Sequence, residues 1–134
     1  NVIHCLNEKE KAHLQYIPLK KGDILFHENI YNFLNKILIQ YKYILIKYTV
    51  GIVISGSVRI SSFSYDGKEI IYNTLKEDGV FGNSLLFSSE PYYKGNVTAL
   101  EESVIALIEK DVLFAFLSEN TVFFEAYMQI QSDF

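Results

Sequence analysis

The side chains best suited to chemistry are few in this sequence, and they are scattered. A β-barrel metal enzyme wants histidines two apart on a strand with a carboxylate nearby, whereas the three histidines here are His4, His13 and His27. The nearest approach to a nucleophile elbow, Gly82-Asn83-Ser84-Leu85-Leu86, lacks the second glycine of the strained turn. His27 beside Glu28 reads as a solvated pair at a strand end, and Glu101-Glu102 as a solvated turn, rather than as acid–base partners. The single cysteine, Cys5, has only Lys9 and Lys11 as cations close in sequence, too little to mark a redox thiol. No catalytic residue and no metal ligand is assigned, no cofactor is expected, and the chain reads as a protein that is not an enzyme.

One stretch does carry a signal, residues 79–99. It runs Gly79-Val80-Phe81-Gly82-Asn83-Ser84, passes through an apolar Leu85-Leu86-Phe87, and returns by way of Tyr93-Lys94-Gly95-Asn96-Val97-Thr98-Ala99. A glycine opening a short helical turn leaves backbone N–H groups free and makes an anion cradle. The competing reading is a plain strand–turn–helix corner in which Phe81, Leu85, Leu86 and Phe87 pack into a barrel. The residues alone leave both open.

The elements that must position this stretch are mostly strands. Twenty aromatics, all Tyr or Phe, together with abundant Ile and Val, favour β structure through the middle of the chain. Strands are expected at 24–27, 51–55, 58–65, 68–75, 97–100 and 103–108. Asp66-Gly67 marks a hairpin turn. Phe63 and Tyr65 resume the alternation of Val58 and Ile60 one residue out of phase, which predicts a bulge. A dense β-prone run with interspersed lysines, residues 36–47, adds a further strand or hairpin. Residues 8–16 predict a short amphipathic helix with Leu14 inward, stopped by Pro18 and the Lys20-Lys21-Gly22-Asp23 turn. At the other end Asp111 is expected to cap one helix, and Asn120 or Thr121 a second. In the second, Phe123, Tyr127 and Ile130 form one stripe, widened by Phe124 and Met128.

Size and charge bound the rest. At 134 residues and 15.5 kDa the chain has the size of one domain, and 49% apolar residues can fill a core without metal or disulfide staples. Residues 1–47 hold seven lysines against four acids, while 48–134 hold five bases against twelve acids. The larger part is therefore acidic and unsuited to touching nucleic acid. No apolar run is long enough to span a bilayer, no secretory signal opens the chain, and one cysteine suits a reducing compartment; a cytoplasmic location and no membrane contact are the expectations.

The order of motifs resembles a known family. Gly22-Asp23-Ile24-Leu25-Phe26, Ile54-Ser55-Gly56-Ser57-Val58-Arg59-Ile60, Asp66-Gly67-Lys68-Glu69, Phe81-Gly82 and Val97-Thr98-Ala99 look like the sensory domain of Crp/Fnr-type bacterial transcription regulators. The resemblance implies an antiparallel β-roll (jelly roll) with a short N-terminal helix and two C-terminal helices, the last serving dimerisation. It divides the chain into a cyclic-nucleotide-binding-like roll over 1–120 and the start of the dimerisation helix over 121–134. A DNA-binding helix-turn-helix domain would follow, and it is absent from these residues.

The resemblance also points to an effector pocket at Gly82, Asn83, Ser84, Tyr93, Lys94, Asn96 and Thr98, and to a homodimer through Phe123, Phe124, Tyr127, Met128 and Ile130. In nucleotide-binding members a Glu after the glycine holds the ribose and an Arg–Ser pair holds the cyclic phosphate. Here those positions read Asn83 and Tyr93-Lys94. Asn83 lacks a carboxylate's charge, and Lys94 lacks arginine's bidentate fork. The expectation is a sensor unresponsive to cyclic AMP, with a small-molecule effector of unknown identity. Two alternatives stand beside it: a cyclic-nucleotide module with a non-transcriptional output, and a cupin-type enzyme, which the scattered histidines disfavour.

Overall fold

The computed structural model describes residues 1–26, 49–64, 66–82 and 95–133. A 3-10 turn, Val2–Cys5, and a one-turn helix α1, Glu8–Lys11, open the chain. Eight strands follow among the described residues: β1 Gln15–Leu19, β2 Ile24–Phe26, β3 Thr49–Ser55, β4 Val58–Phe63, β5 Glu69–Leu75, β6 Val80–Phe81, β7 Asn96–Ala99 and β8 Ser103–Glu109. Helices α2, Lys110–Glu119, and α3, Thr121–Asp133, close it. The strands form two antiparallel four-stranded sheets, ordered β1-β8-β3-β6 and β2-β7-β4-β5.

The first sheet is covered on both faces, and this explains the unbroken apolar runs of β3 and β8. One face turns Val53, Ile105 and Leu107 toward Val58, Leu75, Val97 and Ala99 of the second sheet. The other face turns Val50, Ile52, Ala106 and Ile108 toward Leu113, Phe116, Phe123 and Tyr127 of α2 and α3, and toward Val2, Ile3 and Leu6 of the N-terminal turn. A strand buried on both sides shows no polar alternation, because both sets of side chains leave water. β5 is the opposite case: only its last residue, Leu75, is buried.

Several expectations from sequence are met. The hairpin turns at Asp66-Gly67, where the Gly67 N–H donates to Ser64 O at 2.9 Å and the Ser64 N–H to Lys68 O at 2.7 Å. The register of β4 against β5 does shift between Ile60 and Ser61, but the extra residue, Tyr72, sits on β5, so this bulge does not account for the out-of-phase pattern of β4 itself.

Other expectations need correction. Helix α1 ends at Lys11 rather than continuing to residue 16, and the chain turns into β1 at Gln15. Four helical residues held by the Asn7–Glu10 capping box are all this polar segment sustains, whereas residues 15–19 gain a ladder with β8. Pro18 does not stop a helix. It lies in β1, the edge strand of its sheet, where a missing N–H is tolerated. Asp111 does not cap α2 either: Glu109 holds the N-cap position with no side-chain hydrogen bond, and Asp111 stands in the first turn, where its charge suits the helix dipole. The expected strand over 36–47, and the His27–Glu28 pair, lie outside the described residues.

Candidate functional site

The entrance to the 83–94 connection is built by close backbone approach. β6 pairs with β3 so that Phe81 opposes Gly51 and Val80 opposes Ile52. Phe81 is buried, and its ring occupies the space that a Cβ on Gly51 would need. The next residue, Gly82, has φ of 92°, and a Cβ there would stand 2.9 Å from Thr49 O. Only a residue without a side chain fits both the left-handed backbone and the contact with β3. Gly82 thus fixes the direction in which the chain leaves the sheet. Asn83, Ser84, Tyr93 and Lys94 lie outside the described residues.

The chain returns at β7. Val97 and Ala99 are buried in the core between the sheets, so Asn96 and Thr98 take the opposite face of the strand. Asn96 is buried and its Nδ2 donates to Ser61 O at 3.4 Å. Thr98 stands across from Arg59 of β4 on one side and Ile24 of β2 on the other. The structure places Gly82 at the mouth of the 83–94 connection and Asn96 and Thr98 at its far end, on the face of β7 shared with Arg59 and Ser61 and turned away from the core between the sheets.

The β4–β5 hairpin adds residues that sequence reasoning passed over. Ser62 follows Val58 and Ile60 on the face of β4 that looks toward the other sheet. Its Oγ lies 2.7 Å from the Tyr72 hydroxyl, and Ile70 is its cross-strand partner. Tyr72 is 64% exposed and Ile70 45%, so this inward-looking face opens to solvent beyond the packed core. The bulge made this illegible: alternation counted from the buried Leu75 would turn Ile71 and Glu69 inward, whereas the bulge turns Tyr72 and Ile70 inward and leaves Ile71 and Glu69 on the face of Arg59. On that opposite face Arg59 Nε meets Glu69 Oε1 at 2.6 Å. Arg59 is the only arginine in the sequence, and it is engaged with a carboxylate of its own hairpin.

A polar corner closes the β3–β4 turn. Ser57 Oγ donates to Glu101 Oε2 at 2.8 Å, the Ser57 N–H donates to Ser103 Oγ at 3.1 Å, and Ser103 Oγ donates to Glu101 O at 2.8 Å. Both serines are buried and bonded, which makes this a fastening between β-turns rather than a reactive site. A cleft of about 430 Å³ between α1 and α2, bordered by Glu10, His13, Asp111, Phe116 and Glu119, shares no residue with the effector candidates. Among the described residues no group of three His, Cys, Asp or Glu side chains is placed to hold a metal ion.

The five residues read as a dimer surface divide between two environments. Phe123 and Tyr127 are buried within the chain's own core, with ring centroids 5.7 Å apart, and Phe123 also meets Phe116 edge-on at 5.7 Å. Ile130 is half-buried against the same core. Phe124 and Met128 are exposed, and Val122, which was not singled out, is more exposed than either. Asn120, not Thr121, is the cap of α3, with Oδ1 accepting the Phe123 N–H at 3.0 Å.

Two antiparallel sheets rolled over one core, a glycine corner leading out of β6, and two helices packed on the outer face define an antiparallel β-roll. Residues 47–120 match the family model of the cyclic nucleotide-binding domain, and the chain belongs to this family. Its domains are regulatory modules and not enzymes. No curated protein matches the sequence.

Among solved structures the chain is similar to a transcriptional regulator from Thermotoga maritima, at 22% identity over 96% of this chain and 89% of that one, with a TM-score of 0.68. It is similar to the sensor domain of the transcriptional regulator DNR from Pseudomonas aeruginosa, at 19% identity over 98% and 81%, TM-score 0.66. A third is the catabolite activator protein of Thermus thermophilus, at 17% identity over 98% and 56%, TM-score 0.63. The family is thus that of the cyclic nucleotide-binding domain, and these transcription regulators share its fold. Among the described residues no helix is long and apolar enough to cross a membrane.

Proposed function

We propose that this chain is the effector-sensing and dimerising domain of a Crp/Fnr-like transcription regulator, and that its effector is not cyclic AMP. The observation that carries the proposal lies in the sequence: the resemblance puts Asn83 and Tyr93 at the positions where nucleotide-binding members have Glu and Arg. A cyclic phosphate binds tightly when a guanidinium forks onto it, and a ribose when a carboxylate accepts its hydroxyls. The chain's only arginine is paired with Glu69 on the other face of β4, which supports the reading.

The effector enters between Gly82 and the open face of the β4–β5 hairpin, where Ile70, Tyr72 and Ser62 offer an apolar surface with a hydroxyl pair. Such a surface suits a small, partly apolar metabolite better than a charged nucleotide. Dimerisation uses the exposed flank of α3 that carries Phe124 and Met128, four residues apart on one face, because Phe123 and Tyr127 are already committed to the core; Val122 lies on the opposite flank. DNA contact belongs to a helix-turn-helix domain joined beyond α3. A thermal-shift screen of cyclic nucleotides and small metabolites tests the reading, since a ligand that binds only the folded state raises the melting temperature by mass action.

A further inference from the structure

Every polar group of Asn120 is in use, and its bonds reach four elements. Its N–H donates to Phe116 O at 2.9 Å, which finishes α2, and its carbonyl accepts the Phe124 N–H at 2.9 Å, which begins α3. Its Oδ1 accepts the Phe123 N–H. Its Nδ2 donates to Cys5 O at 2.9 Å and to Glu10 Oε1 at 3.0 Å. The joint between the two C-terminal helices is thus tied by side-chain bonds to the end of the N-terminal turn and to α1.

The other end of that turn is tied as well. The Val2 N–H donates to Asp78 Oδ1 at 2.7 Å. Asp78 sits with φ of 70° in the turn before β6, held to β3 by its own N–H to Val53 O at 2.9 Å. An aspartate tolerates this left-handed backbone better than most residues with a side chain, and here the carboxylate is aimed at the first free N–H of the turn. Four residues later comes Gly82, the entrance to the 83–94 connection.

We infer that the N-terminal turn, Val2–Cys5, is a strut that couples the Asp78–Gly82 turn to the α2–α3 joint, with Asp78 and Asn120 as its two anchor points. Between the anchors the strut is rigid: Val2, Ile3 and Leu6 are buried against Val50, Ile52, Phe123 and Tyr127. A displacement of the turn that leads to Gly82 therefore shifts the base of α3 through hydrogen bonds and packed side chains, with no part for the hairpin. The coupling goes beyond the choice of effector and holds whether or not the domain answers to a nucleotide.

Hydrogen exchange of the whole chain, read amide by amide without any ligand, tests the strut. Asp78→Gly keeps the left-handed backbone and removes the carboxylate. The expected result is exchange faster by about three- to tenfold at the Phe123 and Phe124 amides of α3, the loss of one side-chain hydrogen bond passed along the strut. Asn120→Ser keeps a capping oxygen for α3 and removes both Nδ2 bonds; it is expected to speed exchange at Asp78 and Gly79. Asp78→Asn, which retains an accepting oxygen, is expected to behave as the parent. Ser57→Ala, which cuts the unrelated bond to Glu101, is expected to leave α3 unchanged. Faster exchange confined to the neighbourhood of each substitution, or an equal rise in α3 on Ser57→Ala, would overturn the coupling. Neither result bears on cyclic AMP, so the strut and the effector reading fail separately.

Discussion

Phe81 sets the far end of its ring where a side chain on Gly51, its cross-strand partner, would stand, so that two residues thirty positions apart close on each other at the start of the 83–94 connection. The ring takes the place of a missing side chain on β3, and Gly82 follows at once in a left-handed conformation against Thr49. Gly51→Ala forces the ring or the strand to move, and overpacking of this kind costs about 1–3 kcal/mol. Urea unfolding of the variant against the parent measures it, with a drop in midpoint at unchanged slope expected.

Gly82→Ala is expected to destabilise by about 1–2 kcal/mol from the left-handed backbone alone, with the contact to Thr49 O adding to it. Gly67, whose absent Cβ meets nothing within 4 Å, supplies the control, because its alanine variant carries only the backbone strain. A larger loss at Gly82 than at Gly67 is the expected order.

The two halves of the α3 stripe separate by variant. Phe123→Ala opens a fully buried site beside Phe116 and Tyr127 and is expected to cost about 3–5 kcal/mol in the monomer. Met128→Glu changes an exposed residue, so thermal stability of the monomer stays within about 0.5 kcal/mol. Its expected effect is on self-association: sedimentation velocity shows concentration-dependent dimer for the parent and monomer for the variant.

What was legible in the sequence follows physical lines. Asp66-Gly67 announced a hairpin because a tight turn is a local event, written in residues that touch each other, whereas the phase slip after Ile60 did not show that the bulge lies on β5. The apolar runs of β3 and β8 fit burial on both faces, but nothing in them says that the second cover is α2, α3 and the N-terminal turn. The helix expected over 8–16 failed because the ladder of β1 with β8, ninety residues away, outweighs the propensity of a polar segment. Tyr127, expected at the interface, is instead buried in the chain's own core, because a helical stripe shows which face is apolar and not what covers it. At the candidate site, Gly82 was readable as a corner. Tyr72 and Ser62 were not, because their meeting depends on which strand carries the bulge.

The hairpin tip responds to acid in a defined direction. The Ser64 hydroxyl bonded to Asp66, and then the Lys68 N–H, hold the Asp66 carboxyl below the ordinary aspartate value. A folded-state value below the unfolded one means the carboxylate steadies the turn at neutral pH. That support is lost as pH falls below the ordinary value and through the folded one. An NMR titration of Asp66 is expected to give a midpoint below that of an unstructured aspartate, and Ser64→Ala to move it upward.

The central claim is that this β-roll keeps the family's scaffold without its grip on cyclic AMP. A ligand bound at a hundred times its Kd adds about 2.7 kcal/mol to a folded domain, worth several degrees in melting temperature at this size. The measurement is the melting temperature of the chain with and without about 1 mM cyclic AMP, a concentration at which any Kd of about 10 μM or tighter would show that shift. The account predicts a change below about 1 °C. A rise of several degrees that disappears in Lys94→Ala would contradict it, because Lys94 would then have taken over the phosphate.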